Sequence, residues 1–249
     1  MTGTWRAVEQ VMGLPISVAL RGRHAGTTTA AGVWAAVVAE LREVDAVFSS
    51  YRPDSWLSRR NRGERVATPA VVEEVLGLAE EARVQSDGAF DVRRGGGLDL
   101  DGVVKGWAVQ RVSRRLRELD DTDCCLSGGG DLVCWTAAPD RDPWQVGIED
   151  PFDPQRLVAR VPVRTGAVAT SGTVHRGAHI VDARTGHAPA GVASVTVVGP
   201  DLTWADLDAT AAFARGADAV SWLRTRPRRS GLVVWEDGRV ETWAGPLAP

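Results

Sequence analysis

Trp204-Ala205-Asp206-Leu207-Asp208-Ala209-Thr210-Ala211-Ala212-Phe213 is the stretch to which the rest of the chain relates. It is rich in Ala and Leu, which favour a helix. On a helix, residues four apart share a face and lie about 6 Å apart along the axis. Asp206 and Thr210 are such a pair. A carboxylate and a hydroxyl on one face are hard oxygen donors, the kind that suits Mg²⁺. The plainer alternative is a capping aspartate with a threonine packed beside it. Asp near a helix start is common, and the stretch taken alone favours that alternative.

Outward from this helix, the chain divides into two styles. Residues 5–21 contain a β-rich segment with Val11, Ile16, Val18 and Leu20 as inward positions. Thr27–Thr29 cap a helix through Ala30–Val47, whose apolar spacing at Val33, Val37, Leu41 and Val44 is helical. Phe48–Asn61 reads as loop or short helix. Thr68-Pro69 opens a helix to about Ser86, because Pro suits a first turn; its predicted apolar face is Val71, Val75, Leu78 and Ala82. A third helix runs from Val103 to Leu119 with Val104, Ala108, Val112 and Leu116 inward.

From Cys124 onward strands dominate: Cys124–Leu126, Leu132–Trp135, Trp144–Ile148, Leu157–Val163, Val168–Thr170, Ala178–Val181 and Val192–Val198. The Trp204–Phe213 helix follows, then a short helix near Asp218–Arg224. A final hairpin, Leu232–Trp235 and Val240–Trp243, turns at Asp237-Gly238. Helices in the first half and antiparallel strands in the second predict an α+β fold, not alternating βαβ units. No repeat or clear linker divides residues 1–249, which read as a single domain.

Net charge is −3 with no basic block, which argues against nucleic acid or an anionic membrane as partner. No stretch is apolar for long enough to span a bilayer. The opening residues lack an apolar run before a cleavage site and read as no signal peptide or lipid anchor. Three cysteines, at 124, 125 and 134, form no C-x-x-C pair and make a poor disulfide framework, so a reduced, cytoplasmic setting is expected. The chain has 29 Lys plus Arg, yet only one Lys (Lys105), and only one Tyr (Tyr51). A compact ammonium does what a planar guanidinium cannot.

Several polar, Gly-rich spots interrupt the pattern. Asp99-x-x-Gly102-x-x-Lys105-Gly106 puts a carboxylate and an ammonium at a helix start, where backbone N–H groups attract anions; a capped helix with a solvated lysine is the other reading. Ser127-Gly128-Gly129-Gly130-Asp131 allows close ligand approach, or is simply a turn. Thr170-Ser171-Gly172 offers hydroxyls to phosphate oxygens, or is a polar turn. His179 and Asp182 bracket a predicted strand. His175, His179 and His187 raise zinc as a question, against which the strand pattern and Gly177 weigh.

Taken together and in this order, these motifs resemble the ApbE family, the FAD:protein FMN transferases. The resemblance runs from about Met12 to Gly216. Its carriers are Ser49-x-Tyr51-x-x-Asp54-Ser55-x-Leu57-Ser58-x-x-Asn61, Gly88-Ala89-Phe90-Asp91, Asp99-Leu100-x-Gly102-x-x-Lys105-Gly106 and Gly129-Gly130-Asp131-Leu132. Trp144-x-Val146-Gly147-Ile148-x-Asp150-Pro151, Thr170-Ser171-Gly172, His179-Ile180-Val181-Asp182-x-x-Thr185-Gly186, Ser194–Val197 and Ala205-Asp206-x-x-x-Thr210 complete them.

The resemblance implies an α+β ApbE-like domain that moves FMN from FAD to a threonine hydroxyl of an acceptor protein, with Mg²⁺ and with release of AMP. It implies Asp206, Thr210 and the Gly102 carbonyl as Mg²⁺ ligands. Asp99 and Lys105 become FAD contacts, Tyr51 the ring beside the flavin, and Met12, Ala89, Phe90 and Asp91 its neighbours. Thr170 and Ser171 join the cofactor site, and Val181 contacts FAD through its backbone. His179 assists proton transfer, with Lys105 neutralising phosphate charge and Asp182 orienting the imidazole. Two alternatives share this site: an FAD pyrophosphatase yielding FMN and AMP, and a flavin-binding protein without turnover. The sequence departs from the family pattern in its short Arg93–Gly97 segment, in Asp101 where Gly is usual, in the truncated Met12-Gly13-Leu14, in Ser127, and in Thr173-Val174.

Overall fold

The computed structural model describes residues 3–172 and 180–247. β1 (Trp5–Val11) and β2 (Leu14–Gly22) form an antiparallel hairpin. The single β-rich segment read over 5–21 is therefore two strands. The break falls at Met12-Gly13, which have φ of 57° and 69°. Two left-handed residues are what a tight hairpin turn requires, and Met12 adopts that conformation without glycine's freedom.

α1 (Thr28–Phe48) is capped by Thr27, whose side-chain oxygen accepts from the Ala30 N–H. α2 (Trp56–Asn61), capped by Ser55, is the short helix within the Phe48–Asn61 segment. α3 (Ala70–Gln85) begins directly after Pro69 and buries Val72, Val75, Ala79 and Ala82. Val71 and Leu78, read as inward, lie at the core's margin instead. Periodicity gives the width of the stripe, but the packed neighbours choose its rotation. β3 (Arg93–Arg94) and β4 (Gly97–Leu98) form a miniature hairpin turned at Gly95-Gly96, with φ of 57° and 82°. α4 (Asp101–Leu116) buries Val104, Ala108, Val112 and Leu116, as the spacing predicts.

β5 (Thr122–Gly128), β6 (Asp131–Trp135), β7 (Trp144–Asp150), β8 (Asp153–Val163), β9 (Thr165–Gly172) and β10 (Val192–Gly199) follow. Then come α5 (Leu202–Arg215), a 3-10 turn at Gly216–Asp218, α6 (Ala219–Leu223), β11 (Ser230–Trp235) and β12 (Val240–Ala244). The strand expected at Ala178–Val181 lies partly outside the described residues. Its described end, Ile180 and Val181, is not in a strand; only an isolated bridge joins Asp182 to His187.

Eight strands form one sheet in the order β1-β2-β5-β6-β9-β10-β11-β12, and every neighbouring pair is antiparallel. This is the α+β arrangement expected. Side chains alternate between its faces. Val133, Ala167, Ala169 and Val233 enter the large core with α1, α3, α4 and α5. Cys134, Val168, Leu232 and Val234 enter a smaller core under the separate β7–β8 hairpin. The helical layer thus lies over one face and brings α4 and α5 together above the middle of the sheet. No helix among the described residues is long and apolar enough to cross a membrane.

Candidate active site where α4 crosses α5

The first feature of the site is an absent side chain. A Cβ on Gly106 would lie 2.7 Å from Asp206 Cβ and 3.0 Å from the Leu202 carbonyl oxygen. Only glycine allows α4 and α5 to approach this closely. The gap is used by a hydrogen bond: the Gly106 N–H donates to Asp206 Oδ2 at 3.0 Å. In a regular helix that N–H would serve the Gly102 carbonyl four residues earlier.

Lys105, one residue back, reaches into the same crossing. Its ammonium pairs with Asp131 Oδ2 and lies 3.2 Å from Asp206 Oδ1. The side chains of both aspartates are only 2% exposed, and that of Lys105 is 19% exposed. Asp131 comes from the start of β6, just past the Gly129-Gly130 turn. Its other oxygen accepts from the Thr170 N–H at 2.9 Å. The hydroxyls continue the network: Thr170 Oγ1 to Thr196 Oγ1 at 2.9 Å, and Ser171 Oγ to Thr210 Oγ1 at 3.1 Å.

The charge count at this crossing is uneven. Two buried carboxylates share one ammonium, and no second cation pairs with either among the described residues. Burial, with the Asp131 charge beside it, pushes the Asp206 carboxyl up to about 7, although Lys105 pulls the other way. Burial also works against the Lys105 ammonium, but Asp206 and Asp131 outweigh it and hold Lys105 above its ordinary value. Burial therefore governs the Asp206 shift and the two carboxylate charges govern the Lys105 shift. The ammonium gains from both carboxylates, whereas each carboxylate has only a share of it. Asp131 Oδ2, moreover, has ion-pair contact but no well-formed hydrogen bond.

Lys105 thus already has two carboxylate partners within this crossing. The crossing has more carboxylates than cations, with Thr210 a turn along α5 from Asp206. Buried carboxylate, hydroxyl and backbone carbonyl oxygens are hard donors that fit a divalent cation. No cluster of three or more His, Cys, Asp or Glu side chains suited to a metal is found among the described residues. Any such ion would thus need hydroxyl and carbonyl oxygens beside a carboxylate.

The remaining candidates surround this centre unevenly. Phe90 packs where a Gly102 side chain would be, 3.1 Å from its notional Cβ, which places the Ala89–Asp91 strip against the α4 start. The Ala183 N–H donates to the Ala89 carbonyl, which joins the Val181–Asp182 loop to the same strip. Asp99 accepts from the Asp101 N–H at 3.3 Å and faces Arg94 at 3.7 Å. Met12 lies in the β1–β2 turn, next to the Gly129 turn, whose N–H donates to Pro15. Tyr51 stands apart: it is 92% exposed. His179 and His175 lie outside the described residues.

Asp182, expected to orient the His179 imidazole, has a described partner in Arg184. Arg184 takes both its carboxylate oxygens, at 2.7 to 3.1 Å, and that contact lowers the Asp182 pKa. The pair fastens the turn to Gly186, whose N–H donates to the Asp182 carbonyl. Arg184 and the Lys105–Asp131 contact were not read from the sequence. The Gly-Gly-Asp turn was visible there, but not its partner. Asn61, noted only as a motif position, clamps Leu98 with two bonds of 2.8 and 2.9 Å and so anchors the shortened Arg93–Gly97 hairpin to α2.

Comparison with known proteins gives the family and the fold. The ApbE family model matches residues 12–96 and 92–233. An FAD:protein FMN transferase of Haemophilus influenzae is 25% identical, over 73% of this chain and 72% of its own length. One from Rhodobacter capsulatus is 32% identical over 57% of this chain, but over only 29% of its own length. The ApbE protein of Thermotoga maritima superposes with a TM-score of 0.83 at 21% identity, over 97% of both chains. The flavin transferase ApbE of Vibrio cholerae superposes with a TM-score of 0.82 at 22% identity, over 98% of both. With the matched segments spanning both helices of the crossing and the strands beneath them, this chain belongs to the ApbE family.

Proposed function

We propose that this chain is an FAD:protein FMN transferase that moves FMN from FAD to a threonine hydroxyl of an acceptor protein and releases AMP in a Mg²⁺-dependent reaction. The relatives' names support the transferase reading. The observation that carries it to this site is the pair of buried carboxylates, Asp131 and Asp206, around the single Lys105 ammonium. Asp206, Thr210 and the Gly102 carbonyl would hold the metal. Bound there, Mg²⁺ supplies positive charge to the FAD pyrophosphate and to the departing AMP.

The chain's own groups do the rest. Lys105 keeps Asp206 and Asp131 aligned and offsets part of their charge. Thr170 and Ser171, tied to Thr196 and Thr210, line the phosphate side. Met12, Tyr51, Ala89, Phe90, Asp91, Asp99 and the Val181 backbone receive the flavin and ribityl portions. Tyr51 is free to lie against a flat ring. The acceptor oxygen forms a bond to the FMN phosphorus as the bond to the AMP oxygen breaks. His179 takes the acceptor's proton, because an imidazole titrates near neutral pH. Asp182, held by Arg184, shapes the loop that presents Val181 and orients the His179 imidazole. The cysteine inventory supports a reduced, cytoplasmic setting.

The test is a mass measurement. Enzyme, FAD, Mg²⁺ and a candidate acceptor are incubated, and the acceptor should gain one FMN mass for each AMP released. AMP and FMN appearing with no acceptor adduct would replace transfer with pyrophosphate hydrolysis. Tight FAD binding without AMP under any divalent metal would leave a flavin-binding protein.

A further inference from the structure

We propose that Cys125 and Cys134 form a reversible cross-strand disulfide, an oxidation site independent of the transfer chemistry. The two residues face each other on β5 and β6 in antiparallel register. The hairpin turns at Gly129-Gly130, so Gly128 and Asp131 flank it as a hydrogen-bonded pair. Hydrogen-bonded and non-hydrogen-bonded pairs alternate along a ladder. Counting back through Ser127–Leu132 and Leu126–Val133 makes Cys125–Cys134 a non-hydrogen-bonded pair. Such pairs have Cα atoms about 4.5 Å apart. Disulfides span Cα separations of about 4.4–6.8 Å, so the bond fits at the short end, where strain makes it easy to reduce.

The surroundings assign different roles to the sulfurs. Cys134 is buried, whereas Cys125 is partly exposed. Cys124 points to the opposite face and joins the large core, so it cannot compete. The interaction with the Cys134 thiol holds Cys125 below the usual thiol range; burial opposes this, and Arg21 adds to it. Cys134 is held above that range by Cys125 and by burial. The Arg21 guanidinium is stacked 3.9 Å from the Trp144 ring centroid. The more acidic, more accessible Cys125 is thus the attacking sulfur, and Cys134 resolves.

With hydrogen peroxide as oxidant, the Cys125 thiolate attacks one peroxide oxygen. The O–O bond breaks, leaving Cys125 sulfenic acid and a hydroxide that takes a proton to become water. The Cys134 sulfur then attacks Cys125 and the S–O bond breaks. The Cys134 proton leaves with the departing hydroxide as a second water. Two thiols are oxidised and one peroxide is reduced. An external dithiol reverses the result by exchange.

The experiment treats the purified full chain with one equivalent of hydrogen peroxide, blocks remaining thiols with N-ethylmaleimide after denaturation, and maps peptides by mass spectrometry. The expected result is a Cys125–Cys134 cross-linked peptide lacking two hydrogens, one maleimide on Cys124, and full recovery with dithiothreitol. The Cys134→Ser variant should instead accumulate Cys125 sulfenic acid, trapped by dimedone. Cys124→Ala should leave the cross-link intact, which keeps the test informative if Cys134→Ser folds poorly. Cross-linking through Cys124, or Cys125 sulfinic acid with no cross-link in the native chain, would overturn the proposal.

Discussion

Replacing Gly106 by alanine tests the closeness on which the site depends. The new Cβ would meet Asp206 Cβ at 2.7 Å and the Leu202 carbonyl at 3.0 Å, against an ordinary contact of 3.4 Å or more. Neither neighbour is the far end of a flexible side chain, so α5 must retreat by about 0.7 Å (3.4 less 2.7). Alanine favours the helix by about 1 kcal/mol over glycine. Overpacking costs about 1–3 kcal/mol. The difference leaves a net loss of roughly 1 kcal/mol or slightly more. Function should suffer far more than folding. A misplacement of about 1 Å in a positioned group can cost about a hundredfold in rate, and the shift falls directly on Asp206. Urea denaturation and AMP release from FAD, measured on the same preparation, should therefore separate: a small fall in stability and a fall in rate of about two orders of magnitude. A variant as stable and as active as the native chain would refute the claim that the crossing must be this tight.

Asp206→Asn should abolish AMP release yet stabilise the metal-free protein at pH 8. The folded carboxyl, pushed up to about 7 by burial, keeps a proton that the unfolded chain has already lost above the ordinary value of 3.8. Native stability therefore falls as pH rises between those values. The asparagine variant lacks that loss, and its advantage at pH 8 should be about 2–4 kcal/mol. Chelator-treated samples melted at pH 5 and pH 8 check this; an advantage that does not grow with pH would count against an uncompensated buried charge. Asn61→Ala should free the β3–β4 hairpin, cost about 1 kcal/mol, and speed hydrogen exchange at the Leu98 amide, whose N–H now donates to Asn61. Unchanged protection there would mean that something else anchors the hairpin. Thr27→Ala should cost about 1 kcal/mol through loss of the α1 cap, seen as a lower urea midpoint with activity retained.

Much of the fold was legible in local pattern. The inward positions Val37, Leu41 and Val44 of α1, the stripe of α4, the Thr27 cap, the Pro69 start and the Asp237-Gly238 turn all depend on neighbours within a few residues. Short-range spacing carries that information because helix and strand periods are backbone properties. Local spacing misleads where the decision is not local. It merged β1 with β2 because Met12 is not a residue that announces a left-handed turn. On α3 it placed Val75 and Ala82 inward correctly, but packing against the core chose Val72 and Ala79 over Val71 and Leu78.

The site shows the same division. Sequence alone marked Lys105, Asp206 and the Gly-Gly-Asp turn as polar groups in unusual settings. That Lys105 is held between Asp131 and Asp206, and that Asp182 is claimed by Arg184, was decided by tertiary structure. Gly106 and Asp206 are 100 residues apart in the chain. What joins them is the packing of two helices on one sheet, and no spacing rule reaches across that separation. Residue types set which charges the protein has, and the folded packing sets which of them must share a partner out of water.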